Sequence, residues 1–343
     1  GQEILFLNAG LITSALSEDK KYLYNVNSTE HSIEQINLNT LAFEKKYPFE
    51  KEGPNGVGNY LRTFSLINDD AFFISTIQHE HIFNWKGEKL ESFNISEMGI
   101  EQNQLEEGDL AFKTISLSPD GNQFASLITN WGKKTTSFAL IDRKNKSFIK
   151  MVVPGIEKTK NFELTLRIVG GSIENHFNRF LLEVRGKVIL GTEISSELYV
   201  LDKISDSLRH ITYKSRLTPN EKSGTYPTEV EDKLQFENYH RKIEEDITFM
   251  EPVWDEKKQV FYRLSFLMIY DENAEAKEGQ LYIPSKGAEV YLSILDKDLN
   301  LIAEGPFQTM DSYPGFHFGK DGKLWLFKNI ADEMGFVRLD VSW

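Results

Sequence analysis

The sequence of 343 residues contains no cysteine. That excludes disulfides, thiolate zinc sites, iron–sulfur clusters and thiol nucleophiles. It also fits export, since a cytosolic chain usually keeps a few free thiols. A surplus of positive charge is missing as well. There are 52 acidic against 39 basic residues, a net charge of −13. Phosphate backbones and anionic membrane surfaces are repelled by such a chain, so nucleic acid is not an expected partner. A cationic ligand or a divalent metal is electrostatically allowed. No run approaches the roughly 20 apolar residues needed to cross a bilayer, and no signal peptide is visible. The chain opens at Gly1-Gln2-Glu3 and runs straight into the strand-like Ile4-Leu5-Phe6-Leu7. From this we expect a trimmed N-terminus. A lipid on a removed N-terminal segment is then the one expected route to a membrane.

Catalytic signatures are also lacking. There is no Walker motif, dinucleotide fingerprint, His-Glu-x-x-His or EF-hand loop. Ser118-Pro119-Asp120-Gly121 lacks the Gly-x-Ser-x-Gly frame of a nucleophile elbow. The Gly-rich Gly53-Pro54-Asn55-Gly56-Val57-Gly58 opens no helix that could cradle a phosphate. Adjacent acids such as Glu106-Glu107 and Glu244-Glu245-Asp246 read as solvated charge. On a strand, neighbours point to opposite faces and cannot flank one glycosidic bond.

Aromatic residues are what the chain has in quantity, with 24 Phe and 13 Tyr. They favour a pleated, half-buried surface. Helical periodicity is scarce, and short β-branched and aromatic runs ending in turn signals dominate. These runs group into sets. Residues 21–26, 32–38 and 42–47 form the first, and 62–66, 71–77, 81–85 and 90–95 the second. The third holds 112–117, 123–129, 137–142 and 147–153, with a Pro-initiated tight turn at Ser118-Pro119-Asp120-Gly121. The fourth spans 179–184, 188–190, 196–202 and 208–213. The fifth spans 249–254, 259–269, 290–296 and 301–307, and a sixth of three strands ends at Trp343. Strands repeatedly end in Asp or Asn before a turn, as at Asp142, Asp202 and Asp296, with Ile36-Asn37-Leu38-Asn39 a looser copy. A side-chain oxygen there can cap the turn.

The expected fold is a single all-β domain over residues 1–343, a β-propeller of about six four-stranded blades. Pairing of Glu3–Leu7 with the last set would close the ring and remove exposed edges. A polar insertion at about 214–246 interrupts the repeat, with mild helical spacing at Leu234, Tyr239 and Ile243. Residues 97–109 and 271–279 read as shorter insertions.

One stretch carries a family resemblance. Phe249-Met250-Glu251-Pro252-Val253-Trp254-Asp255 leads through a turn into Phe261-Tyr262-Arg263. It resembles a segment of uncharacterised six-bladed propeller-like lipoproteins of Bacteroides-type bacteria. The polar segment before it and Tyr199-Val200-Leu201-Asp202 are similar too. The resemblance implies export to the periplasm or cell surface, with lipid anchoring on a cysteine upstream of residue 1. That family carries a domain-of-unknown-function label, so it implies no activity and no functional residues.

Candidate sites rest on residue type. In His79-Glu80-His81, strand alternation puts His79 and His81 on one face, where both could reach a metal ion. Further ligands would have to come from another blade; otherwise these are two solvent-facing histidines. Arg263 could bind a carboxylate bidentately or make a structural ion pair. Asn130 and Trp131 open a loop whose indole could stack on a sugar or cation, or be buried between blades. Tyr226 and Glu229 could form a lid, or simply a loop without a ligand. No cofactor is identified apart from the allowed divalent metal. The expected function is a cell-envelope binding or scaffolding module for an unknown protein or glycan, with its site at one mouth of the propeller channel. A metal-dependent hydrolase or lyase acting on a sugar or lactone is the first alternative. A purely protein-interacting platform is the second.

Overall fold

The computed structural model describes residues 11, 13–58, 60–202, 207–277, 280–330 and 333–343. These residues form seven small sheets. The first three share one plan, with four consecutive strands paired antiparallel in chain order. They comprise Ser14–Leu16, Tyr22–Asn27, Ser32–Asn37 and Ala42–Pro48; then Leu61–Leu66, Ala71–Thr76, Glu80–Asn84 and Lys89–Phe93; then Asp109–Ser116, Gln123–Asn130, Thr135–Asp142 and Ser147–Met151.

The turns follow from their side chains. Asn37 Oδ1 accepts from the amides of Asn39 and Thr40. Asp142 accepts from Asn145 N at 2.9 Å, and Asp296 from Asp298 N and Asn300 N. The acids that end these strands therefore cap the turns that follow. In Ser118-Pro119-Asp120-Gly121 the glycine sits at φ +66°, a conformation other residues adopt at a cost. A Cβ there would lie 2.9 Å from Ile82.

Of the remaining sheets the fifth repeats this plan and the other three depart from it. Thr165–Ile168 pairs antiparallel with Gly171–Glu174 and parallel with Glu229–Val230. Arg179–Val184, Lys187–Thr192, Leu198–Asp202 and Ser207–Ile211 form the fifth sheet. The sixth centres on the long strand Val260–Ile269. It pairs on one side with Gly287–Leu295, which leads to Leu301–Pro306, and on the other with Thr248–Phe249 and Val253–Asp255. Pro252 separates those last two strands and has no N–H to give a ladder. His317–Lys320, Lys323–Ile330 and Glu333–Asp340 form the seventh.

The chain divides into two compact units. The first is Gly1–Val152 with Leu181–Gly186 and Phe327–Phe336. The second is Val153–Phe180 with Lys187–Leu326 and Val337–Trp343.

The sequence predicts about six four-stranded sets, whereas the described residues give seven sheets of three to five strands. The added sheet is the one around Thr165–Ile168. Its strands are two to four residues long, and one lies inside the polar segment that reads as an insertion. Too few residues alternate there to register as strands. The three-residue Ser14–Leu16, which completes the first sheet, escapes for the same reason. The proposed closing strand Glu3–Leu7 lies outside the described residues. Among the described residues no helix is long and apolar enough to cross a membrane.

The expected helix in the insertion is Lys233–Glu245, capped by Asp232, whose carboxylate accepts from Gln235 N at 2.9 Å. Its buried anchors are Phe236 and Ile243, while Leu234 faces solvent. Phe236 and Ile243 pack against Leu164, Leu166 and Val230, with Phe177 and Tyr239 at the margin. The short sheet thus supplies the floor on which the helix docks. The 97–109 insertion also begins helically, as Ile95–Glu101 capped by Asn94.

Candidate functional site

In the second unit, the inserted helix and the strands around it enclose a cavity of about 400 Å3. That volume is within the roughly 300–1,000 Å3 of small-molecule sites. The helix places His240 and Glu244 one turn apart on the cavity side, with His240 Nδ1 3.6 Å from Glu244 Oε2. Burial pulls the His240 imidazole below its usual pKa; the Glu244 charge works against this and Lys222 adds to it. Tyr270, just past the long strand of the sixth sheet, donates its phenol proton to Glu244. Burial, then that bond to a carboxylate, holds the phenol far above its usual value. The same carboxylate thus faces an imidazole on one side and a phenol on the other.

Lys222 forms the next part of the wall. Its Nζ donates to Ile243 O at 2.7 Å, Asp246 O at 3.1 Å and Thr248 Oγ1 at 3.0 Å. It thereby satisfies carbonyls left open at the helix C-terminus, the end that attracts cations. Burial lowers its pKa to about 8, opposed by the charges of Asp246, Glu193 and Glu244. The ammonium also stands 5.4 Å from the centre of the Phe177 ring.

The opposite wall is acidic and aromatic. Glu193 lines the cavity and accepts from Asn178 N at 2.9 Å. His176 has its Nε2 3.5 Å from Glu174 and its Nδ1 3.9 Å from Glu163. Burial raises Glu163, but His176 and the Arg179 guanidinium outweigh it and leave the carboxyl below its ordinary value. Phe266 and Tyr313 meet edge to face at 5.2 Å, and Tyr313 is 53% exposed. Imidazole, carboxylate, hydroxyl and ring faces therefore converge on one space. Such a lining can fix the orientation of a polar small molecule.

The residues singled out from sequence are divided between the two units. In the first, Asn130 is buried and donates to Asp109 at 2.8 Å, which shapes the loop rather than presenting an amide. Trp131 is 39% exposed and meets Phe112 edge to face at 5.2 Å. His79 and His81 do share a side, with ring centres 6.1 Å apart. His81 is buried, and its pKa is pulled to about 4 by desolvation, then by Lys89 and His79. Among the described residues no three His, Cys, Asp or Glu side chains gather as a metal site.

In the second unit Arg263 is 1% exposed. It donates to the carbonyls of Met250, Ser196 and Ser195 and to the Tyr213 hydroxyl. Three backbone carbonyls and a phenol oxygen therefore take its donors. Tyr226 donates to Lys242 O at 3.1 Å and Glu229 pairs with Arg167 at 2.7 Å. Both therefore brace the insertion. A Cβ at Gly224 would fall 2.0 Å from the Tyr226 hydroxyl, so that close approach needs glycine.

Sequence reasoning missed His176, Glu193, Lys222, His240, Glu244 and Tyr270. Glu244 in particular read as solvated charge. Glu245 does pair at the surface with Arg241, and Asp246 accepts from Ser223 N and Gly224 N, but Glu244 turns to the cavity. One signal was present. His240 and Glu244 fall at i, i+4, close to the face defined by Phe236 and Ile243.

Comparison with solved structures finds a DUF4221 family member from Bacteroides vulgatus at 16% identity. The match covers 96% of this chain and 94% of that one with a TM-score of 0.64. A Myceliophteria thermophila Cps50 (Swd1) β-propeller domain matches at 8% identity over 98% of this chain and 99% of its own, TM-score 0.42. A Neurospora crassa Pan2 WD40 domain matches at 10% identity over 92% and 72%, TM-score 0.43. The comparison with curated proteins finds no match. The family model described as a domain of unknown function, DUF4221, matches residues 1–306, and the chain belongs to that family.

Proposed function

We propose that the chain is an exported binding module of the cell envelope, lipid-anchored at full length, that holds a small glycan in the cavity of its second unit. In this reading the sheets are propeller blades, and the ligand sits in the cavity that the inserted helix and the strands around it enclose. The observation that carries it is the cavity lining. Planar polar groups (His176, His240, Glu193 and Glu244) share about 400 Å3 with the Phe266–Tyr313 ring pair. Sugars need both kinds of wall, since their hydroxyls take hydrogen bonds from planar polar side chains and their C–H faces stack on aromatics. The absence of cysteine supports export.

The test is a thermal-shift screen against mono- and oligosaccharides, peptides and divalent salts. A ligand at about 100 times its Kd adds roughly 2.7 kcal/mol to stability. A shift given by a saccharide and abolished by Tyr313→Ala supports the reading. Stabilisation by peptides or divalent salts alone overturns it. Fractionation of cells making the full-length protein checks export, and material confined to the cytosol counts against it.

A further inference from the structure

Resting on the glycan reading of this cavity, we infer that its ligand carries a protonated amine, so that an amino sugar is preferred over neutral and acidic sugars. The reason is how the charges around the cavity are used. Lys222 is the cation in the wall, and an ammonium has three N–H donors. All three are taken, by Ile243 O, Asp246 O and Thr248 Oγ1. Lys222 therefore has no donor left for a carboxylate or phosphate on a ligand. The nearby guanidiniums of Arg179 and Arg241 pair with Glu163 and Glu245, and neither lines the cavity.

The carboxylates have a different status. A carboxylate can accept about four hydrogen bonds. Glu244 takes one from Tyr270 and faces His240 at 3.6 Å. Glu193 adds a second negative charge to the lining, and Glu174 stands beside His176. The Phe266 and Tyr313 rings contribute π faces, which attract cations and repel anions. An acidic sugar would meet two carboxylates and a lysine with nothing to donate. A neutral sugar would offer those carboxylates hydroxyl donors only. An ammonium on the sugar supplies charge-assisted donors to the same oxygens, which are about twice as strong.

Glucosamine, glucose, N-acetylglucosamine and glucuronate, with ethanolamine as a non-sugar amine, are titrated into the intact protein by calorimetry alongside thermal melts. Glucosamine is expected to bind about tenfold or more tightly than glucose and N-acetylglucosamine, with glucuronate weakest. Glu244→Gln and Glu193→Gln should each erase most of that preference. Their own melting temperatures, measured without ligand, report whether the fold is intact. Equal binding of glucose and glucosamine overturns the amine inference and leaves the glycan reading standing, and tighter glucuronate binding does the same. Binding of ethanolamine with no response to any sugar supports the amine inference and overturns the glycan reading. Silence from all five compounds overturns both.

Discussion

The first unit builds its three complete sheets by repeating one plan, four strands in chain order with side-chain-capped turns. The second unit departs from that plan in the sheet around Thr165–Ile168. It pairs Thr165–Ile168 with a strand from far along the chain, in parallel, and docks a helix on the result. The aromatic cores of the regular sheets, such as Phe73, Phe124 and Phe148, close on themselves. In the second unit the extra helix holds open a polar space between itself and the long strand. Regular pairing fills volume, and departure from it is what leaves this cavity. The same contrast appears in the buried charges. Lys222 in the second unit is matched by three acceptors, whereas Glu80 in the first is a carboxyl held by few partners.

The sharpest way to break this comparison is to undo the docking. Phe236 is fully buried under the helix, and Phe236→Ala should cost about 3–5 kcal/mol in chemical denaturation. It should also abolish ligand-induced stabilisation, because His240 and Glu244 ride on that helix. Phe124→Ala, at a matching position in the first unit's core, should cost a similar amount and leave ligand affinity unchanged. Equal loss of binding in both variants would show that the cavity does not depend on the insertion. Lys222→Met should come next. It orphans two carbonyls and a hydroxyl at the helix end, each worth about 1–3 kcal/mol when buried. A total near 3 kcal/mol is expected in urea melts.

The first unit's buried charges give a pH signature. Burial raises Glu80 to about 7, while the Ile95 N–H and the Arg62 charge pull the other way. Between its ordinary 4.5 and about 7 the folded state keeps a proton that the unfolded state has released. Stability from this group is therefore lost as pH rises through that window. At about 1.4 kcal/mol per unit the change reaches at most about 3 kcal/mol. Glu80→Gln should remove that slope, and its advantage over wild type should grow from pH 5 to pH 8 in melts. His81, next on the same strand, has the opposite sign. Its folded pKa of about 4 lies below its ordinary 6.5, so stability is lost as pH falls through that range. The two windows overlap, and wild type should be flatter there than Glu80→Gln or His81→Phe alone.

How much of this was legible in the sequence follows the same division. The capped turns at Asn37, Asp142 and Asp296 could be read because each is a local contact within a few residues. The helix over Lys233–Glu245 showed in its spacing, although Leu234 is not one of its anchors and Phe236 is. The sheet of Thr165–Ile168, Gly171–Glu174 and Glu229–Val230 could not be read. Its strands are too short for a period, and its parallel pair joins segments with no local signal. The cavity could not be read for a related reason. Its wall draws on His176, Glu193, Lys222, Glu244 and Tyr270, which come together only once that sheet and helix have formed. Arg263, read as a carboxylate binder or one half of a structural ion pair, turned out to hold backbone carbonyls. Its carbonyl partners at Ser195, Ser196 and Met250 belong to loops no spacing rule connects to it.

Trp131 offers the finest test of the contrast, because it is the first unit's best claim to a ligand surface. Its indole is partly exposed and meets Phe112, over which the Arg62 guanidinium lies at 5.3 Å. An edge-to-face pair of this kind is worth about 0.5–1.5 kcal/mol beyond its buried area. Trp131→Ala should therefore lower stability by about 1 kcal/mol. If ligand belongs to the cavity of the second unit, saccharide affinity should stay within error of wild type in calorimetry, while Tyr313→Ala loses it. The reverse pattern would move the binding surface to the regular sheets. It would also mean that an exposed aromatic pair on a repeated scaffold outweighs the polar cavity built by the insertion.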